Sequence, residues 1–208
     1  MSLARLLQLA SPALPVGAYS YSGGLEAAVE AGIVADRASA ERWIGDVLEF
    51  AVARMDAPLL LKMMREPGEL RALNELYLAG RETAELRAET VQMGYSLNAL
   101  LRELEIGCVD LEEPSYPCVY AVAASKLGID AGSALVAYLW SWLENQVMAA
   151  VKAVPLGQTD GQRMLMSLGG RLSEIAERAG TTSMENLAPG LAMVSSAHET
   201  QYSRLFRS

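Results

Sequence analysis

The chain has little of what an active site is made from. Its 208 residues include one His and two Cys, whereas catalysis needs titratable groups within reach of one another, a metal ion or a cofactor cradle. The imidazole belongs to His198, near the end of the sequence, and the spacing of Cys108 and Cys118 matches no zinc motif. We therefore expect no catalytic residues, no bound cofactor and no resident metal site.

Two further absences concern nucleotides and nucleic acids. The glycine-rich stretch 17–24 lacks the Gly-Lys-Ser/Thr ending of a phosphate-binding loop and follows no predicted strand. With 25 acidic and 17 basic residues, the chain carries a net charge of −8 and has no basic footprint for a phosphate backbone. Its strongest apolar run, residues 134–143, is far shorter than the roughly 20 residues of a membrane-spanning helix. The prediction is a cytoplasmic protein that binds neither nucleic acid nor membrane.

Aromatic residues are also scarce, at 6% of the chain, although hydrophobic residues reach 51%. Alanine, leucine and methionine supply most of this apolar content, and unbranched side chains lose little freedom in a helix. No segment alternates apolar and polar residues with the period of a strand. The composition predicts a single all-α domain over residues 1–208, a bundle of roughly eight to ten helices with short connections.

Helical periodicity and turn residues predict one local break. A helix is expected to run to about Arg54, with Phe50 facing the core at helical spacing. Asp56 and Pro58 are then expected to begin a new helix, because proline is tolerated in the first turn.

Residues 198–208, with the sequence HETQYSRLFRS, form the most distinctive segment. If the preceding helix continues through them, His198, Tyr202, Leu205 and Phe206 fall on one stripe, since residues three and four apart share a face. An apolar stripe flanked by arginines is typical of a docking segment, because buried aromatics and arginine dominate interface energetics. The alternative is a final half-turn that folds back on the protein's own core.

Four blocks of sequence together resemble the UreF family of urease accessory proteins. They occur in the order of the family and extend from one end of the chain to the other. The blocks are residues 7–22 (LQLASPALPVGAYSYS) with 24–32, residues 81–83 (RET) with Glu85 and Arg87, residues 142–145 (WLEN) with 151–158 (VKAVPLGQ), and residues 198–208. Gly23 and Ala197 depart from the family pattern.

The resemblance implies an all-helical, dimeric protein that is not an enzyme. Members of the family bridge an accessory protein called D or H and a nickel-carrying GTPase called G. Together these proteins deliver nickel to apo-urease, so the metal is handled transiently by the complex. The resemblance also implies that the chain controls or recruits the GTPase. Two other functions remain open from the residues alone: a generic helical adaptor without a urease role, and a helical enzyme.

The tail residues Tyr202, Arg204, Leu205 and Phe206 are the first candidates for contact with the D/H partner. We expect residues 198–208 to be a flexible partner-docking tail that orders on binding, at an entropic cost offset by buried aromatics.

Three other features each have a functional and a structural interpretation. Tyr19 lies in a loop stiffened by prolines, which either binds a partner or simply connects two helices. Lys152 either serves the surface that faces the GTPase or stabilises a helix C-terminus through the helix dipole. The cluster 81–83 is expected to be a solvated helix face with weak ion pairs, or an interface with the GTPase or a second copy.

Overall fold

Most of the buried hydrophobic residues lie in helices. The computed structural model describes residues 3–208, in which helices and loops occur but no strand. The prediction of an all-α bundle of roughly eight to ten helices is confirmed: residues 3–208 hold eleven α-helical segments, and a π-helical segment joins two of them into one helix. None of the helices in this part of the chain is both long enough and apolar enough to cross a bilayer. The helices are α1 (Leu3–Ala10), α2 (Leu25–Glu30), α3 (Arg37–Val47), α4 (Ala57–Arg65), α5 (Leu70–Ala79), α6 (Ala84–Glu103), α7 (Tyr116–Lys126), α8 (Ala131–Ala153), α9 (Gln158–Gly169), α10 (Leu172–Arg178) and α11 (Pro189–His198).

Helix α8 is the central element. Leu135, Leu139, Leu143 and Val147 follow one another at four-residue spacing and are all fully buried. This spacing places them along one face. Helices α1, α2, α4, α9 and α10 all pack against α8. The bundle is therefore organised around a single long helix whose last turn ends beside the tail.

Helices α3 and α4 are joined into one continuous helix by a π-helical segment, Leu48–Asp56, so the predicted break before Pro58 is wrong. Proline has no N–H to offer the carbonyl of Arg54 four residues earlier, and this normally breaks a helix. Here the backbone N–H of Glu185, in the loop before α11, donates to that carbonyl at 3.3 Å. The wider π turn and this donor from elsewhere in the chain let the helix continue through the proline.

The π segment also changes which side chains face inward. Phe50 was expected to be in the core, but it is 41% exposed, whereas its neighbours Val47 and Ala51 are buried. Spacing arguments assume 3.6 residues per turn, and a π turn holds more. The register therefore shifts within the segment, and Phe50 leaves the buried face.

Helix α6 approaches the loop that precedes α7 very closely at Gly94. A Cβ added there would overlap the backbone carbonyl of Pro114. The side chain of Asn98, on the same helix, bonds both backbone groups of Val109 at 2.9 and 2.7 Å. These contacts hold the loop flat against α6, and the absence of a side chain at position 94 makes the approach possible.

We predict that Gly94→Ala destabilises the protein by about 2–4 kcal/mol, although Ala is the better helix former by about 1 kcal/mol. The obstacle is backbone, which cannot rotate away as a side chain would. Gly132→Ala in α8 is the matched control, because the nearest atom to its added Cβ is 3.6 Å away, an ordinary contact. Urea denaturation measures both free energies of unfolding, and equal values for the two variants would contradict the prediction.

Candidate functional site

The candidate site lies where residues 199–208, called the tail below, pack against the loop 17–24, α2 and α6. Helix α11 ends at His198, and the tail is not helical. The predicted stripe is therefore wrong: His198 and Phe206 are buried, while Tyr202 is fully exposed and Leu205 is 58% exposed. The chain turns after His198 because the peptide groups of the tail find partners on other elements.

Glu26 on α2 holds the backbone of the tail. Its two carboxylate oxygens accept the backbone N–H of Leu205 at 2.6 Å and that of Phe206 at 2.9 Å. Hydrogen bonds to an ionised acceptor are about twice as strong as those between neutral groups. Glu26 is itself buried, at 6% exposure, so these bonds compete little with water. The carboxylate therefore fixes the direction of the chain at this point.

His198 links the same carboxylate to α6. Its Nε2 lies 3.2 Å from Glu26, and its Nδ1 lies 2.6 Å from Glu85. The other oxygen of Glu85 accepts a hydrogen bond from Arg204 at 2.7 Å. These contacts join Glu26, Glu85, His198 and Arg204 into one cluster, called the clasp below.

The end of the tail is held by the loop 17–24 and by Glu89. The N–H of Arg207 donates to the carbonyl of Ser20 at 2.8 Å, and the N–H of Ser22 donates to the carbonyl of Ser208 at 3.1 Å. The hydroxyl of Ser208 donates to Glu89 at 2.7 Å. Burial raises the pKa of Glu89 to about 7, and the bond from Ser208 opposes this shift.

An open groove brings together three of the residues proposed from sequence. Tyr19, Lys152 and Phe206 line it, together with Met148 and Leu156. The ammonium of Lys152 lies 4.4 Å from the centre of the Phe206 ring, a cation–π contact. Tyr19 is 76% exposed at the edge of the groove. The groove and the tail are therefore parts of one surface.

The side chains of the tail divide into two groups. Tyr202 and Leu205 project away from the body, whereas Arg204 pairs with Glu85. Phe206 is only 5% exposed, because its ring packs against α8 beneath Lys152. Partner binding by these residues, and mobility of the tail before binding, stay predictions.

The cluster 81–83 is not the solvated helix face that was expected. The side chain of Arg81 is only 13% exposed and pairs with buried Asp56 at 3.3 Å. Tyr77 donates to the same carboxylate at 2.8 Å. Thr83 is buried, caps α6, and lies 2.7 Å from the hydroxyl of Ser195 on α11. Arg81 and Thr83 therefore belong to the core that supports the clasp, whereas Glu82 between them is exposed.

The acidic residues of the site were missed by sequence reasoning. Glu85 and Glu89 stand four residues apart on α6, and like charges at this spacing repel each other. Such a pair looks like an ordinary solvated face unless a partner is known, and the partners lie 110 or more residues away in the chain. Glu26 and Glu85 each had one signal, a place in the blocks that carry the family resemblance. Among residues 3–208, no group of three or more His, Cys, Asp or Glu side chains is arranged to hold a metal ion.

Comparisons with a family profile and with known proteins both point to the same family. The UreF family profile matches residues 34–169. A protein of Azoarcus sp. (strain BH72), named urease accessory protein UreF, is 54% identical over 100% of this chain and 96% of its own length. Proteins of the same name from Dechloromonas aromatica (strain RCB) and Janthinobacterium sp. (strain Marseille) are 50% and 46% identical, each over 100% of this chain and 98% of its own length.

We predict that Glu26→Gln loosens the tail, because an amide has one acceptor oxygen and no charge, so the bonds to Leu205 and Phe206 weaken. Trypsin should then cleave after Arg204 or Arg207 at least tenfold faster, since cleavage follows the population of the open form. Glu30→Gln is the matched control, because Glu30 is exposed one turn later on the same helix. Equal cleavage rates in the two variants would show that Glu26 does not hold the tail.

A second prediction concerns Glu89 and pH. The pKa of its carboxyl in the folded protein, about 7, lies above the ordinary value of 4.5, so the folded state binds this proton more tightly than the unfolded state. The contribution of Glu89 to stability is therefore greatest at low pH and is lost as the pH rises from about 4.5 to 7.

Glu89→Gln should remove this dependence and, at pH 8, stabilise the protein by about 1–2 kcal/mol. Chemical denaturation at pH 5 and pH 8 measures the difference between wild type and variant. Glu103→Gln, an exposed change on the same helix, serves as control. A difference between wild type and Glu89→Gln that does not vary with pH would rule the effect out.

Proposed function

Because the chain belongs to the UreF family of urease accessory proteins, we propose that it acts in urease maturation by binding other proteins and catalyses no reaction itself. It bridges the accessory D/H protein and the nickel-carrying GTPase G, controls or recruits that GTPase, and so helps deliver nickel to apo-urease. It works in the cytoplasm as a homodimer and without a cofactor of its own.

The observation that carries this proposal is the pair of apolar side chains displayed by the tail. Tyr202 is fully exposed and Leu205 is 58% exposed, yet the backbone N–H of Leu205 is bound by Glu26 at 2.6 Å. A large apolar side chain held outward on a fixed backbone, as at Leu205, loses little conformational entropy when a partner covers it. Aromatic anchors such as Tyr202 dominate the energetics of interfaces. The tail is therefore suited to docking into the D/H partner.

The groove extends this surface. Tyr19 and Lys152 line it beside Phe206, so a partner that covers the tail also reaches both side chains. The sequence allows two interpretations of Lys152, a surface that faces the GTPase or a helix C-terminus stabilised by the lysine. Its ammonium instead covers the ring of Phe206, which favours a place in the same D/H surface as the tail. Lys152 would then both anchor the tail and contact the partner.

Family membership favours the urease role over the two alternative functions. A generic adaptor without a urease role does not account for relatives named urease accessory proteins that match this chain over 98–100% of its length. The helical enzyme has no support from these names. Reconstituted activation of apo-urease, with and without this chain, tests the proposal as a whole.

The sharpest test replaces Tyr202 and Leu205 together by alanine. Because both side chains project into solvent, the variant should unfold within about 0.5 kcal/mol of wild type. Its affinity for the D/H partner should fall by two orders of magnitude or more, as expected when two interface anchors are removed. Calorimetry with purified D/H protein measures the affinity, and urease activation measures the consequence.

Met166→Ala is the matched control, since Met166 is 81% exposed on α9. Deleting the whole tail is a poorer test, because Phe206 and Ser208 are buried and their loss should also lower stability. Unchanged D/H affinity in the Tyr202→Ala, Leu205→Ala double variant would refute the tail as the docking element.

A further inference from the structure

A second polar cluster lies away from the tail, where the π segment meets α10 and the loop that follows it. Two arginines pair with one carboxylate there, and a third arginine lines the same cavity. Glu49 accepts hydrogen bonds from Arg171 at 3.0 Å and from Arg178 at 2.6 Å. Arg54 is the third arginine, on the same π segment as Glu49. The proposed docking surface uses none of these residues.

Donors in this cluster are left without acceptors. The Nε atoms of Arg54 and Arg178 are buried, and neither has a hydrogen-bond partner within the described residues. Arg54 also takes part in none of the ion pairs found in residues 3–208. A buried donor without an acceptor destabilises the folded protein, because it has lost its hydrogen bond to water. An acceptor that reaches both arginines would remove this cost.

The arginines border a cavity large enough for such an acceptor. Its volume is about 210 Å³, several times the roughly 30 Å³ that one water molecule occupies in the liquid. The hydroxyl of Thr182 donates to the carbonyl of Arg178 at 2.9 Å, which leaves Ser183 as the free hydroxyl donor. The residues that line the cavity are Glu49, Ala53, Arg54, Arg178, Thr182 and Ser183.

Charge favours an anion in this cavity. The hydrogen bond from Arg178, together with the charges of Arg178 and Arg171, holds the pKa of Glu49 below its usual range. Its single negative charge is therefore shared between two arginines, and Arg54 adds a third positive charge. The cluster is positive in a chain whose net charge is −8. The negative charge of Glu174, one turn before Arg178 on α10, also acts on that arginine.

We propose that this cavity binds a small tetrahedral oxyanion of the phosphate class, held by Arg54, Arg178 and Ser183. The planar fork of a guanidinium matches two oxygens of such an anion, and charge-assisted hydrogen bonds of this kind are the strong ones. Glu49, which also lines the cavity, orients Arg178 through their hydrogen bond. The bound anion would join the π segment to the loop after α10. The same two elements are already joined by the hydrogen bond from the N–H of Glu185 to the carbonyl of Arg54.

The test titrates inorganic phosphate into the full-length protein at constant ionic strength, with chloride as the balancing anion. Calorimetry should show saturable binding, and the melting temperature should rise with phosphate but not with chloride. Arg54→Gln should weaken the binding on the order of tenfold, the loss expected for one charge-assisted contact. Arg102→Gln, an exposed arginine of α6 outside the cavity, should bind phosphate like wild type.

A second experiment measures the binding of phenyl phosphate. Comparing its affinity with that of inorganic phosphate shows whether the natural ligand is a phosphate ester or the free ion. Tighter binding of the ester indicates a phosphorylated molecule, and tighter binding of the inorganic ion indicates free phosphate; either result supports the site. If Arg54→Gln does not fold, Arg54→Lys keeps the charge without the fork and should still weaken binding. Absence of saturable binding, or equal affinities for Arg54→Gln and Arg102→Gln, overturns the proposal.

Discussion

The carboxylate of Glu26 is the interaction on which the account of this protein depends. It lies at 6% exposure on a short helix and accepts two backbone N–H groups from the tail, while His198 approaches it from the end of α11. A buried carboxylate without such donors would be costly. The donors come from a segment that has no regular structure of its own. The tail supplies the donors that the buried carboxylate requires, and the carboxylate supplies acceptors for the backbone of the tail. These hydrogen bonds fix the path of the tail.

Fixing that path determines what the surface displays. With the backbone bound at Leu205 and Phe206, one side chain faces solvent and the next enters the groove beneath Lys152. The clasp continues through Glu85 to Arg204, which gives a second point of attachment on α6. The core supports this arrangement from behind, because Thr83 bonds Ser195 at the junction of α6 and α11. The proposed docking surface is thus a consequence of polar contacts made beneath it.

The helical class of the fold follows directly from composition and periodicity. Three features could not be predicted this way, and the reason is the same in each case. Pro58 stays in a helix because Glu185, far along the chain, bonds the carbonyl that proline leaves free. Phe50 leaves the core because the π turn changes the register. The tail is not helical because its partners belong to α2 and α6. Each outcome depends on a contact between distant segments, which periodicity does not encode.

Amide hydrogen exchange at Leu205 and Phe206 in the isolated full-length protein shows whether Glu26 holds the backbone of the tail. If Glu26 holds the tail, these two amides exchange at least tens of times more slowly than those of an unstructured peptide, while the amides of Tyr202 and Ser203, which have no such acceptor, exchange faster. Exchange of all four amides at the rate of an unstructured chain would contradict the account, because the docking side chains would then have no fixed backbone to display them.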